Sequence, residues 1–445
     1  MRSNECFRAS DFRDLLDHSR KAYGTLPALK SGTELYSYEE LIQAIDAEEE
    51  RLKRESASCI AIDQPETVSG IISLFASVLA GKRTALLDSH LSEERKKRAL
   101  DIVHAEYILP GKIRTEAEPV PGEAGKLLFF SSGTSASEKA VVLSQKALCS
   151  SAWNGQCMLA CGHGDTVGSL LPLSHVFGFV CTLLWPLAYG ACVGLGRGYR
   201  HLIDDASFYQ VTILPAVPTL LGFLEAHGAL NPELKTILVG AGPAEPSVLK
   251  KVSQSGILVS FGYGLTETAS GLAISAGKED PFAMDLCPDT RVRIGTDHTV
   301  YVSTPCMMDG YYEQPEETAA VLKDGELDTG DLGYLDEAHC LHLSGRKNEV
   351  LVLANGTKVF CPEWEAELAK LMQGEAAIAL QDGKLILHVH TALGDEEVRA
   401  AADTFNEQQP AGRKLSLLVR HQKPLPRTAT GKLQRWKLHE EGVII

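Results

Sequence analysis

Residues 126–144 read KLLFFSSGTSASEKAVVLS. An apolar run, Lys126 to Phe130, opens into five hydroxyls, one glycine and a single lysine, Lys139, before the chain returns to apolar residues. β-Branched Val141 and Val142 favour a strand, so the polar stretch is expected to join two strands. Small residues let backbone N–H groups approach an anion, hydroxyls donate, and an ammonium adds charge, so the segment suggests phosphate binding. It is not a Walker loop: Glu138 precedes the lysine, Ala140 follows it, and no helix opens there. For the segment alone, an ordinary polar hairpin loop is the competing reading.

Outward from this hairpin, apolar and polar segments alternate in α/β fashion. Tyr38 to Leu52 and Thr67 to Leu79 carry helical spacing, and Thr84 to Asp88 (TALLD) is a short buried strand. Ser92 is a plausible N-cap, with acids in the turn that follows. Further on, VTILPAVP, LKTILVGAG and GILVSFGYG are apolar runs bounded by Gly and Pro, as buried parallel strands are. This alternation predicts twisted sheets covered by helices. From about Arg291 the pattern changes to period two (RVRIGTDHTVYVS, HCLHLSG), which predicts antiparallel strands. After SGRKN, Ser344 to Asn348, a final region of about a hundred residues carries the strand KLILHVH and the helical runs WEAELAKLM and EEVRAAADTFNEQ. A boundary there divides the chain into residues 1–345 and 346–445. The expected fold is a large N-terminal domain of helix-covered mixed sheets followed by a small, mobile α+β domain.

The chain has 445 residues, ample for two or three domains. Its 44% hydrophobic and 23% charged content is that of an ordinary soluble protein. A net charge of −15 argues against nucleic acid or an anionic membrane as the main partner. The eleven cysteines show no Cys-x-x-Cys spacing, and MRSNECFRAS has no signal-peptide character, which points to reduced thiols in the cytoplasm. Thr166 to Gly196 lacks Asp, Glu, Lys and Arg and is long enough to span a bilayer. It also contains Pro172, His175, Pro186 and five glycines, so a buried core segment of strand, loop and short helix is expected rather than a membrane span.

Three more stretches carry chemistry. GYGLTETAS, Gly262 to Ser270, follows a strand and should lie at its carboxyl end, where α/β sheets bind ligands. There Tyr263 offers a flat ring, Thr266 a hydroxyl and Glu267 a hard oxygen for Mg2+; a capped strand-to-helix turn is the plainer alternative. In DTGDLGYLD and LSGRKN, Asp331 can accept two ribose hydroxyls and Arg346 can meet a phosphate or ribose oxygen, unless these are an Asp-Gly turn and an exposed Arg. PLPRTATGKLQRWKL places Lys432 on a Gly-Lys turn near the C-terminus.

In this order the stretches resemble the adenylate-forming (AMP-binding) superfamily of acyl-CoA synthetases, luciferases and peptide-synthetase adenylation domains. LYSYEEL, LAGKRTALLDSHLSEER, PLSHVFG, GAGPA and MMDGYYEQPEET support the resemblance, which runs from about Leu35 to Leu438. It implies that ATP and Mg2+ activate a carboxylic acid to an acyl-adenylate, which then passes to a thiol. By the same resemblance, Ser131, Ser132, Gly133, Thr134, Ser135 and Lys139 fold over the β- and γ-phosphates. Gly240, Ala241, Gly242 and Pro243 line the adenine site, and Tyr263 stacks on the base. Thr266 touches the α-phosphate, Glu267 holds Mg2+, Asp331 binds the ribose with Arg346 nearby, and Lys432 bridges the carboxylate and the nucleotide. His175 stands at the mouth of the acyl pocket, a satisfied core histidine being its alternative. Gly356 approaches the pantetheine arm of CoA, and Asn348 takes the hinge position.

This chain also departs from the family pattern. Ser135-Ala136 and Glu138-Lys139-Ala140 stand where relatives use Thr-Gly and Pro-Lys-Gly, which should stiffen the loop. Glu349 looks inserted, and Cys361 replaces a proline. The expected function is an ATP-dependent acid–thiol ligase using CoA and a fatty or aryl acid. The alternatives are a stand-alone loader of carrier-protein phosphopantetheine, or a family member that binds ligand without turnover.

Overall fold

The computed structural model describes residues 6–118, 120, 122–131, 139–242, 244–353, 358–381, 383–410, 413–427, 433–438 and 442–445. The opening hairpin forms as its composition requires. Strands Leu127–Ser131 and Lys139–Leu143 pair antiparallel, with Phe129 opposite Val141 and Ser131 opposite Lys139. On its other side Leu127–Ser131 runs parallel to Arg83–Leu86, which pairs parallel with Cys59–Ile62, itself parallel to Tyr107–Leu109. Antiparallel edge strands complete a mixed seven-stranded sheet.

A second, nine-stranded sheet has six parallel strands at its centre, ordered Leu258–Tyr263, Thr236–Gly240, Ile213–Ala216, Thr166–Ser169, Cys192–Leu195 and Pro27–Ser31. The charge-free stretch of residues 166–196 therefore becomes two of these strands and a short helical connection between them. That connection includes a π-helical turn, Phe179–Leu184. Among the described residues no helix is long and apolar enough to cross a membrane.

Local rules set the helix starts. Ser37 and Glu40 form a capping box at Tyr38–Lys53, and Ser92 caps Glu93–Val103 by accepting from the Arg95 N–H. Thr67 is the cap of Val68–Leu79 rather than its first residue. The strand expected over Thr84 to Asp88 instead spans Arg83–Leu86, leaving Asp88 on the loop beyond its carboxyl end. The rings of Phe12, Phe75, Phe129 and Phe179 meet in pairs with centroids 5.2–6.3 Å apart. These contacts tie the hairpin strand, the π turn and two helices into one large core.

The period-two region forms an antiparallel sheet of Arg291–Ile294, Thr299–Ser303, Glu326–Leu335 and Leu322–Lys323, with Leu341–Arg346 paired to Glu326–Leu335. A separate core begins at Leu353 and includes Trp364, Phe405 and Leu415. Its sheet holds Glu375–Gln381, Lys384–His390, Leu415–Arg420 and Val443–Ile444, covered by helices Cys361–Leu371 and Asp395–Glu407. The architecture is thus a large α/β N-terminal domain with a smaller α+β C-terminal domain. Only one strand of this last sheet, KLILHVH, is expected from the sequence.

Candidate active site

The parallel strands Thr236–Gly240 and Leu258–Tyr263 end side by side, with Gly240 opposite Gly262. Just beyond, Gly264 is obligatory, because a Cβ there would fall 1.1 Å from the Ser270 carbonyl oxygen. The chain folds back through a 3₁₀ turn, Thr266–Thr268, closed by the Leu265 N–H donating to Thr268 Oγ1 at 3.0 Å. Ala269 and Ser270 then adopt left-handed φ values of 46° and 88°. Non-glycine residues held this way store strain of roughly 1–3 kcal/mol each, and such strain concentrates at functional sites. The turn aims Thr266 and Glu267 into a cavity of about 490 Å3.

Behind the cavity wall, bonded to the lining residues Tyr263 and Arg346, lies Asp331. Its carboxylate is buried and engaged at both oxygens: Tyr263 Oη donates to Oδ2 at 2.6 Å, and Arg346 Nε to Oδ1 at 2.9 Å. Asp331 and Arg346 face each other across an antiparallel pair, which fixes their contact through register. Burial first, then the Asp331 charge, raises the Tyr263 phenol well above its ordinary value, so it remains a neutral donor. Gly240 and Ala241 form the adjoining wall, with Ala241 also left-handed at φ 66°. Gly242 is described but is not part of the wall.

Elsewhere on the wall, Lys139 Nζ lies 2.5 Å from Glu317 Oε2 and 4.6 Å over the Tyr311 ring. Tyr311 Oη donates in turn to Glu267 Oε1 at 2.9 Å. Burial and the Glu267 charge raise the Tyr311 phenol as well, keeping it protonated. The sequence reading expects an ammonium available to phosphate; the structure instead gives Lys139 a carboxylate partner. That partner is exposed, and such pairs are worth about 0–1 kcal/mol, so a phosphate could displace it readily. Glu267 fits a Mg2+ ligand: Oε1 is oriented by Tyr311, leaving Oε2, and Mg2+ is commonly held by one or two carboxylates plus substrate phosphates.

His175 occupies the N-cap position of Val176–Gly178, lines the cavity and sits 4.0 Å from Asp88 Oδ2. The cavity therefore brings together Lys139, His175, Gly240, Ala241, Tyr263, Thr266, Glu267 and Arg346, with Asp331 bonded directly behind. Ser131 ends its strand opposite Lys139. Ser132, Gly133, Thr134, Ser135, Pro243, Gly356 and Lys432 lie outside the described residues. Among the residues not singled out from sequence, Tyr311, Glu317, Asp328 and Lys347 take part; Lys347 Nζ is 2.9 Å from Asp328 Oδ2. Glu349 has its carboxyl raised by burial while Arg435 and Arg346 oppose that shift. The Cys361 thiol is pushed up to about 12 by burial in the small core.

The sequence profile of the AMP-binding enzyme family matches residues 110–312. A 2-succinylbenzoate–CoA ligase from Bacillus velezensis is 28% identical over 87% of this chain and 88% of its own length. A long-chain-fatty-acid–CoA ligase from Bacillus subtilis is 28% identical over 71% of this chain and 61% of its own. Among solved structures, o-succinylbenzoate CoA synthetase from Bacillus subtilis, in complex with its acyl-adenylate intermediate, superposes with a TM-score of 0.82. It covers 98% of this chain and 100% of that one at 21% identity, a likeness of fold.

Proposed function

From the match of residues 110–312 to the AMP-binding enzyme family, we propose that the chain activates a carboxylic acid with ATP to an acyl-adenylate, then forms a thioester with CoA. The observation that carries this reading is the convergence on one cavity of the Tyr263–Asp331–Arg346 cluster and the Glu267–Tyr311–Lys139 chain. Asp331 takes the ribose hydroxyls, with its oxygens held in place by a phenol and a guanidinium. Tyr263, Gly240 and Ala241 bound the adenine, together with Gly242 and Pro243. Thr266 meets the α-phosphate. Glu267 holds Mg2+, which supplies charge neutralisation for the pyrophosphate leaving group. Lys139 leaves Glu317 for the same phosphates, joined by the loop Ser131 to Ser135.

Such chemistry depends on positioning and on countering developed charge more than on a protein nucleophile. Lys432 approaches the acid carboxylate from the small domain, His175 guards the acid's entrance, and Gly356 faces the thiol arm. We place the domain boundary between Gly345 and Arg346, where the large core gives way to the small one, and assign the small domain the role of a mobile lid. All eleven cysteines are free, which favours the cytoplasm.

The test is acid-dependent release of pyrophosphate from ATP-Mg, followed by CoA-dependent release of AMP. Transfer to a holo carrier protein but not to CoA would favour the loader. ATP binding without any pyrophosphate release would favour a ligand-binding protein without turnover.

A further inference from the structure

Resting on that reading, we propose that the acid taken here is a monocarboxylate with an uncharged, apolar body, and that Cys181 sets how long this body can be. The apolar part of the cavity wall is built from Phe177, Cys181, Leu238 and Ile274, together with Ser270. Leu238 and Ile274 belong to a small buried apolar cluster with Met158 and Cys287, and Phe177 and Cys181 pack against it. Cys181 faces Ser270, Sγ to Oγ, at 3.9 Å. It sits on the π-helical turn Phe179–Leu184, an irregularity found often at functional sites. Burial pushes its thiol up to about 12, so this part of the wall presents no charge at physiological pH.

The charges around the cavity point the same way. Among the described residues the lining cations are Lys139, Arg346 and Lys347, each 2.5–2.9 Å from its own carboxylate: Glu317, Asp331 and Asp328. His175 has Asp88 at 4.0 Å. Among the described residues, the wall of Phe177, Cys181, Leu238 and Ile274 offers a second carboxylate or an ammonium only apolar and hydroxyl or thiol neighbours, a strongly unfavourable place for a charge. The relatives named for 2-succinylbenzoate take a dicarboxylate, so the inference separates this chain from them.

The experiment measures pyrophosphate release by the full chain with ATP-Mg and benzoate, 3-phenylpropanoate, hexanoate, octanoate, 2-succinylbenzoate or phenylalanine. The best monocarboxylate with an uncharged body is expected to exceed 2-succinylbenzoate and phenylalanine in kcat/KM by at least about tenfold, because burying an unpaired second charge against an apolar wall is costly. Equal or better use of 2-succinylbenzoate or phenylalanine overturns the inference while leaving the ligase reading intact. Release with none of the acids sinks the ligase reading and takes this inference with it. For Cys181, the ratio of octanoate to benzoate kcat/KM is expected to fall about tenfold in Cys181→Leu and to rise in Cys181→Ala, with KM for ATP unmoved in both. A ratio unchanged in either well-folded variant removes Cys181 from its assigned role.

Discussion

Tyr311 donates to Glu267 Oε1 at 2.9 Å while its ring lies beneath the Lys139 ammonium, 4.6 Å away. One edge-strand residue thus positions the carboxylate assigned to Mg2+ and the cation assigned to phosphate. Tyr311→Phe keeps the ring under Lys139 and removes only the donor to Glu267. A hydrogen bond to a charged group is worth about 1.5–3 kcal/mol. The adenylation rate at limiting Mg2+ is therefore expected to fall by about tenfold or more, with KM for the acid unchanged. Pyrophosphate release titrated with Mg2+ checks this, and an unaltered Mg2+ dependence would remove Tyr311 from the site.

Asp331 supports a second expectation. Asp331→Asn keeps the shape but removes the charge that pairs with Arg346 and accepts from Tyr263. ATP affinity is expected to drop by about 10–100-fold, the equivalent of 1.5–3 kcal/mol, and Tyr263→Phe should have a smaller effect. Equilibrium binding of ATP by calorimetry measures both; a larger loss in Tyr263→Phe would move the ribose contact away from Asp331.

These two clusters differ in how far they were legible in the sequence. Tyr263, Glu267, Asp331 and Arg346 each stand in an ordered motif, so their presence at one site could be expected. Their contacts could not, because they depend on the register of strands that meet only in the folded chain. Tyr311 and Glu317 stand in MMDGYYEQPEET, but nothing in that stretch assigns either a role: one acts on a residue 44 positions away, the other on one 178 positions away. The strand Glu375–Gln381 was hidden for a related reason. EAAIALQ is rich in helix formers, and pairing with Lys384–His390 overrides that propensity.

Arg83 joins stability to the same sheet. Its guanidinium is fully buried, donates to the carbonyls of Val120, Gly122 and Val103 at 3.0–3.4 Å, and lies 4.6 Å over the Tyr312 ring. Arg83→Ala strands three carbonyls and is expected to destabilise the large domain by about 3–5 kcal/mol. Arg83→Lys should recover only part, since one ammonium cannot reproduce the planar fork. Urea unfolding measures both, and a lysine variant as stable as the native chain would contradict this account.

Glu66 predicts a pH dependence. Its Oε1 is enclosed, and burial, aided by the Asp88 charge, raises its carboxyl above the ordinary value. A raised carboxyl contributes stability that is full below the unfolded value, near 4.3, and lost as pH rises through the folded value. At neutral pH the buried charge therefore works against folding. Glu66→Gln is expected to raise the melting temperature there by roughly 1–4 °C, with the gain shrinking towards about pH 4. A gain independent of pH, or a loss at neutral pH, would show that the charged form is the one the fold favours.

The Lys139–Glu317 pair tests the phosphate assignment most directly. Glu317 is exposed and competes with phosphate for the ammonium. Glu317→Gln removes the competitor without touching the lysine. The pair is worth at most about 1 kcal/mol, so KM for ATP is expected to fall by no more than about fivefold. The effect should fade at high salt, where exposed charges are screened. Lys139→Ala should act in the opposite sense, lowering the single-turnover rate of pyrophosphate release even at saturating ATP, because charge on the leaving group loses its partner. The double variant should match Lys139→Ala alone, since Glu317 acts only through the lysine it holds. If instead the two changes add, Glu317 reaches the phosphates by its own repulsion. If Lys139→Ala leaves the single-turnover rate untouched, the hairpin of Leu127–Ser131 and Lys139–Leu143 does not hold the pyrophosphate.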